Sequence, residues 1–221
     1  MSQISPAPAG QSAQGGPDFD DGGTFSALKR YPAYRSLWSG SVLAQIAQWM
    51  QSVALGWIAL ELSDSAFFVG IVSFVAGIPF LVVGLPAGML IDRFDRRNVL
   101  MICQAIAAAV AIVLAIDISM DWVREWHLLV AAFLNGSMLA IMTPAQQAIT
   151  PSLVARRDLT NAIALTSAGL NLSRIFGPSL AGVIIAAAGV EPAFAFQAVA
   201  LMAAFMMIFR ADFPRQEARS R

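Results

Sequence analysis

The chain has 221 residues, of which 57% are hydrophobic and only 13% charged, and its 14 Lys and Arg balance its 14 Asp and Glu at a net charge of zero. With a mean hydropathy of +0.66 this composition belongs to the membrane class, and the neutral balance gives no sign of a nucleic-acid partner. The one cysteine, Cys103, lies in an apolar run; alone it excludes an internal disulfide or a cysteine-based metal cluster and reads as a small buried hydrophobe.

Residues 1–27 are rich in Gly, Pro, Ser, Gln and Asp and are expected to form a disordered cytoplasmic tail. No basic start is followed by an apolar core, so this stretch does not read as a signal peptide. Residues 28–37, LKRYPAYRSL, form an interfacial lead-in with Tyr31 and Tyr34 at headgroup level. Six apolar segments follow at 37–60, 67–91, 98–117, 127–149, 160–188 and 192–209. About 20 residues cross the hydrocarbon of a bilayer, so the expected fold is all-α, a polytopic membrane protein with one six-transmembrane-helix domain over 28–210. Residues 211–221 then form a cytoplasmic tail or the start of a linker.

Basic residues alternate loop by loop. Lys29, Arg30 and Arg35 precede the first segment, Arg93, Arg96 and Arg97 separate the second from the third, Arg156 and Arg157 the fourth from the fifth, and Arg210, Arg215, Arg219 and Arg221 follow the sixth. The opposite loops hold Glu61, Asp64, Asp117, Asp121, Glu125 and Glu191 but a single cation, Arg124. By the positive-inside rule both termini are expected in the cytoplasm, in the plasma (inner) membrane.

Several polar or flexible positions interrupt the apolar segments. Gln45, Gln48 and Ser52 fall at i, i+3 and i+7 on the first, and Asn135, Met138, Met142 and Gln146 form a similar stripe on the fourth. Gly70, Gly77 and Gly84 recur every seven residues on the second, and Gly84 with Gly88 makes a GxxxG pair, a face that another helix can approach closely. His127, beside Trp122 and Trp126, reads as interfacial.

The loop Gly88-Met-Leu-Ile-Asp92-Arg93-Phe-Asp-Arg96-Arg97-Asn-Val-Leu100 resembles the signature G-x-L-x-D-R-x-G-R-R-x-x-L of the major facilitator superfamily, in spacing, charge order and place between the second and third helices. Asp95 stands where that pattern usually has Gly. An acid after a helix C-terminus faces the negative end of the dipole, so Asp92 calls for a cationic or helix-N-terminal partner, and Arg93, Arg96 and Arg97 are within local reach. The resemblance implies a gating loop in which Asp92 also meets the other half of the transporter. It also implies that the second helix's glycine face slides against that half during gating.

In the fifth segment Gly177-Pro178, Ala181 and Gly182 resemble the helix-five motif of exporters and antiporters in the same superfamily, with Ala181 where Gly is usual. Proline kinks the helix and the small residues allow tight crossing. Arg174 sits mid-segment; an arginine there costs about 2.5–3.5 kcal/mol on insertion scales and must face protein or water. No acid lies at comparable depth, which leaves amides, backbone carbonyls or an anionic solute as its partner, in a structural or a substrate and gating role.

Residues 144–178 resemble the exporter branch that includes enterobactin exporters and macrolide-efflux-type permeases, and the likeness as a whole covers about residues 25–210. It implies that the first and fourth helices face a central pathway, where amides and soft Met side chains suit an amphipathic organic solute. The fourth helix lacks the family's usual arginine, so no proton-antiport assignment follows.

The superfamily's usual architecture has two parallel six-helix halves. This chain matches the N-terminal one, and the resemblance implies a small-solute exporter working by alternating access with a second six-helix half, itself or a separate chain. A truncated product of a longer gene and an incompletely read gene remain open. The alternative function is a truncated or non-transporting membrane fragment that acts only with a separate C-terminal half. No nucleophile–base pair, phosphate loop or metal-ligand spacing appears, so no catalytic residue, cofactor or metal is expected.

Overall fold

A computed structural model describes residues 23–84 and 94–211, and all the regular structure among them is helical. A five-residue helix α1 (Ser26–Arg30) leads into six long ones: α2 (Pro32–Ser63), α3 (Ala66–Val82), α4 (Arg96–Ser119), α5 (Glu125–Leu153), α6 (Leu159–Ala188) and α7 (Val190–Arg210). They take the order of the six expected segments.

Local chemistry sets the boundaries. Pro32 occupies the first turn of α2, where its missing N–H is no loss, and Asp64 ends that helix in the left-handed region at φ 49°. The Ser65 hydroxyl caps α3 by accepting from the Phe68 N–H at 3.4 Å. Asp95 caps α4, its carboxylate accepting from the N–H groups of Arg97 at 2.8 Å and Asn98 at 3.3 Å. Here the residue that departs from the loop signature starts a helix, and its φ of −61° makes no demand for glycine. Gly189 does meet such a demand, since its φ of 92° joins α6 to α7 with no loop between them.

Helices α4, α5, α6 with its preceding turn, and α7 are long and apolar enough to cross a membrane by length and composition. Helix α3 is apolar but shorter, the rest of the expected second segment lying outside the described residues. Helix α2 has ample length, 32 residues, but Gln45, Gln48 and Gln51 dilute its hydropathy. Among the described residues four helices rather than six therefore meet both criteria, α2 falling short by its amides and α3 by its described length.

Helix α2 is the hub, packed against α3, α5, α6 and α7, while α4 packs on α5 and α7, and α3 on α5. Gly40 of α2 lies against Ala204 and Ile208 of α7, whereas Gln51 reaches Gln197, so these two helices run antiparallel. Tyr34 and Trp38 bond to the carbonyls of Ala162 and Leu165 at 2.8 and 2.9 Å, and Ser173 donates to Val42 at 3.2 Å, which makes α2 and α6 parallel. Two apolar clusters occupy the two ends of the bundle. One includes Tyr34, Leu100, Ile149, Leu165 and Ile208; the other includes Ile58, Phe68, Leu114, Leu128 and Phe194. Gln48, Asn135, Ser173 and Gln197 lie in sequence between the residues of one cluster and those of the other, and Gln51 one residue past that boundary bonds to Gln197, so a polar layer crosses the middle of the bundle.

Candidate functional site

A cavity of about 380 Å³ opens from this polar layer between α2, α3, α5 and α6. Each wall has a sequence cause. The α2 positions 45, 48, 49 and 52 share one face, and the α5 positions 135, 136, 139 and 143 share another. At the base α3 and α5 touch: a Cβ on Gly136 would collide with the Ala76 carbonyl, so only glycine lets the backbones meet. On the open side Gly77 and Phe80 of α3 and Arg174 of α6 are exposed.

The chemistry of the lining is uneven. Gln48 is 2% exposed and neither atom of its amide has a hydrogen-bond partner, and the Asn135 Oδ1, on a residue 9% exposed, is likewise unpartnered. A buried amide without a partner is destabilising by about 1–3 kcal/mol, so these groups are poised to bond to something that enters. The Arg174 guanidinium carbon stands 5.4 Å from the centre of the Trp49 ring, within cation–π range. Among the described residues no acidic side chain lines the cavity.

Of the sequence-derived cavity residues, Gln45, Gln48, Ser52 and Asn135 reach it. Met138 and Met142 do not; they belong to an apolar cluster at one end of the bundle, because the inner face of α5 is turned by about one residue from the expected stripe. Gln146 faces a smaller neighbouring pocket that it shares with Gln45, Ser41 and Thr150. Trp49, Gly136, Leu139 and Thr143 line the cavity without having been singled out. Trp49, next to Gln48 on the polar face of an amide-bearing helix, was the one legible signal.

A second amide set lies apart from the cavity lining. Gln51 of α2, Gln104 of α4 and Gln197 of α7 are all at most 1% exposed, and the Gln197 Nε2 donates to the Gln51 Oε1. This bond ties α2 to α7 inside the bundle.

In the helix-five motif Gly177 is the point of closest approach. A Cβ there would lie 2.6 Å from the Trp49 Cβ and 2.8 Å from the Ile46 carbonyl oxygen. Pro178 has no N–H to donate to the Arg174 carbonyl four residues back. Gly182 meets nothing within 4 Å, and neither do Gly70, Gly77 and Gly84, so the glycine face of α3 looks out of the bundle.

Gly88, Asp92 and Arg93 of the loop signature lie outside the described residues. Arg96 donates to the Ala148 carbonyl at 2.6 Å and Arg97 to the Phe209 carbonyl at 2.5 Å, so the two arginines brace α4 against α5 and against the C-terminal end of α7. Cations at helix C-termini also complement the macrodipole. At the same end Tyr31 donates to the Asp158 carboxylate at 2.7 Å and Arg30 pairs with it at 3.3 Å, while the Asn161 amide bonds to Ala27 and Thr24. The Tyr31 bond above all, then Arg30 and Arg157, holds the Asp158 carboxyl below the usual carboxylate value. The far end carries a different pair, His127 and Asp117, 3.3 Å apart, with the Trp126 ring edge-on to the imidazole.

Residues 22–220 match the transmembrane secretion effector family. The chain is 30% identical over 170 residues to a staphyloferrin A transporter of Staphylococcus aureus, a span covering 76% of this chain and 43% of that relative. It is 26% identical over 151 residues to macrolide efflux protein A of Streptococcus pyogenes, covering 68% and 37% of the two chains. With an enterobactin exporter of Citrobacter koseri it shares 25% identity over 165 residues, 75% and 40% of the two. The matched region thus spans less than half the length of each of these relatives.

Proposed function

The chain belongs to the transmembrane secretion effector family of the major facilitator superfamily, and from that premise we propose that it is the N-terminal six-helix half of an exporter for a small organic solute. In this reading residues 28–210 make up the membrane domain of this half, with α1 (Ser26–Arg30) clasped onto its cytoplasmic end through the buried Ala27, and both termini lie inside. The observation that carries the reading is the cavity, whose buried, unpartnered amides and exposed Arg174 face the side where α3 presents Gly70 and Gly77 to open space. A polar pocket at mid-depth, opening beside a face that invites close helix approach, is what half of a midplane site between two bundles requires.

In this reading a second six-helix half, another copy or a separate chain, closes over the cavity, and rocking of the halves exposes it to either side in turn. The loop with Gly88, Asp92, Arg93, Arg96 and Arg97 acts as the gate on the cytoplasmic side. The names of the relatives, which concern siderophores and macrolides, support an amphipathic organic solute of moderate size.

Efflux from cells tests this. The chain is expressed alone and beside a C-terminal half from the same genome, in a host stripped of its own exporters and preloaded with a panel of fluorescent organic acids and bases. Efflux that needs both halves and is lost in Asp92→Asn, at equal membrane level, supports the reading. No efflux of any panel member by the paired halves would return the chain to its alternative, a fragment without transport activity.

A further inference from the structure

Resting on the transport reading, we propose that the cavity selects an organic anion, a carboxylate on an apolar or aromatic body, and that Arg174 is the group that binds the charge. Among the described residues Arg174 is the one charged side chain lining the cavity. It lies fifteen residues into the thirty-residue α6, at the depth where an unpaired cation is least favourable. The guanidinium carbon lies over the Trp49 ring, 5.4 Å from its centroid, and a cation–π contact of this kind is not a hydrogen bond and uses up none of the N–H donors. The N–H donors of the guanidinium are left for a ligand, and their planar fork matches the two oxygens of a carboxylate.

The neighbours complete a receptor and not just a charge. Gln48 brings an unused donor and an unused acceptor, and Asn135 an unused acceptor, each on a side chain at least nine-tenths buried. They suit a hydroxyl or amide next to the carboxylate. Phe80, Leu139 and Leu170 give the apolar wall for the body of the solute. A cavity of about 380 Å³ admits a small organic molecule. With a cation and no carboxylate among the described lining residues, an amine-bearing solute on the same body meets repulsion without compensation.

The test uses the full chain in nanodiscs, empty discs serving as the partition control, and equilibrium dialysis of three probes on one naphthyl body: 1-naphthylacetate, its isosteric neutral amide and the cationic 1-naphthylmethylamine. A charge-assisted bidentate pair is expected to favour the acid over the amide by about tenfold to a hundredfold, with the amine weakest. Arg174→Gln should reduce the acid to the level of the amide, while Arg174→Lys keeps part of the preference and Gln48→Leu weakens acid and amide alike. Should Arg174→Gln not insert, the wild-type chain still decides, because binding of the acid must fall as the probe's own carboxyl is protonated. Equal binding of acid and amine, binding of the acid unchanged in Arg174→Gln, or no binding above empty discs would overturn the proposal. Efflux of a solute without an acid group would leave the transport reading standing.

Discussion

Gly177 of α6 sits so close to Trp49 of α2 that a methyl group at position 177 would lie 2.6 Å from the Trp49 Cβ. The same tryptophan carries the guanidinium of Arg174, one helical turn earlier on α6. Packing and cavity chemistry therefore meet at one contact. Gly177→Ala should destabilise the bundle by about 1–3 kcal/mol, the usual effect of overpacking, and displace Trp49. Gly182→Ala, which meets nothing within 4 Å, should be near neutral. Thermal unfolding in detergent, together with tryptophan emission, distinguishes the two; equal melting of both variants would show that the close approach is not a constraint.

The Gln51–Gln197 bond calls for a double-mutant cycle. Removing one amide leaves the other buried without its partner, so Gln51→Leu and Gln197→Leu should each destabilise by about 1–3 kcal/mol. The double leucine variant should recover most of that loss, because both polar groups are then gone. Couplings between polar side chains in membrane bundles average about 0.6 kcal/mol, and a fully buried pair that acts as a unit should exceed that average. Additive losses in the double variant would mean that the two amides do not act as a pair.

The helices were legible because hydrophobicity over twenty-residue windows and the alternation of basic loops are properties of composition, insensitive to detail. Gln45, Gln48 and Asn135 were legible for a related reason: an amide in an apolar helix needs an inward partner. Met138 and Met142 were misplaced by a rotation of α5 that hydropathy cannot register, since methionine is equally at home in a core and in a cavity. Gly136 was invisible for the opposite reason. Its role depends on where the Ala76 carbonyl of another helix falls, and a lone glycine in one helix does not say which neighbour it admits. The Gln51–Gln197 pair joins residues 146 positions apart, a match that single-helix periodicity does not contain.

Asp95, the departure from the loop signature, is expected to earn its place as the N-cap of α4. Losing a capping side chain to alanine costs about 0.5–2 kcal/mol, whereas glycine in its place costs only a few tenths. Asp95→Ala should therefore lower the melting temperature clearly, and Asp95→Gly, which restores the signature's usual residue, only slightly. The opposite ranking would show that flexibility before Arg96 matters more than the two hydrogen bonds to Arg97 and Asn98.

Asp158 makes the clasp between α1 and the start of α6 sensitive to acid. Its carboxyl is held below the ordinary value of 3.8, first by the Tyr31 hydroxyl and then by Arg30 and Arg157. A group whose pKa is depressed in the folded state contributes stability above its unfolded value, and that contribution is lost as pH falls through the folded one. The clasp should hold at pH 5 and open only below the usual carboxylate range. Tyr31→Phe removes the largest cause, so its opening should begin at higher pH, while Asp158→Asn should be loose and independent of pH across the same window. Spin labels on Lys29 and Thr160 would report the opening as a longer, broader distance distribution. Superimposable pH profiles for the wild type and Tyr31→Phe would mean that the tyrosine hydroxyl does not set the carboxyl's affinity for protons, and that the clasp rests on packing around the buried Ala27 instead.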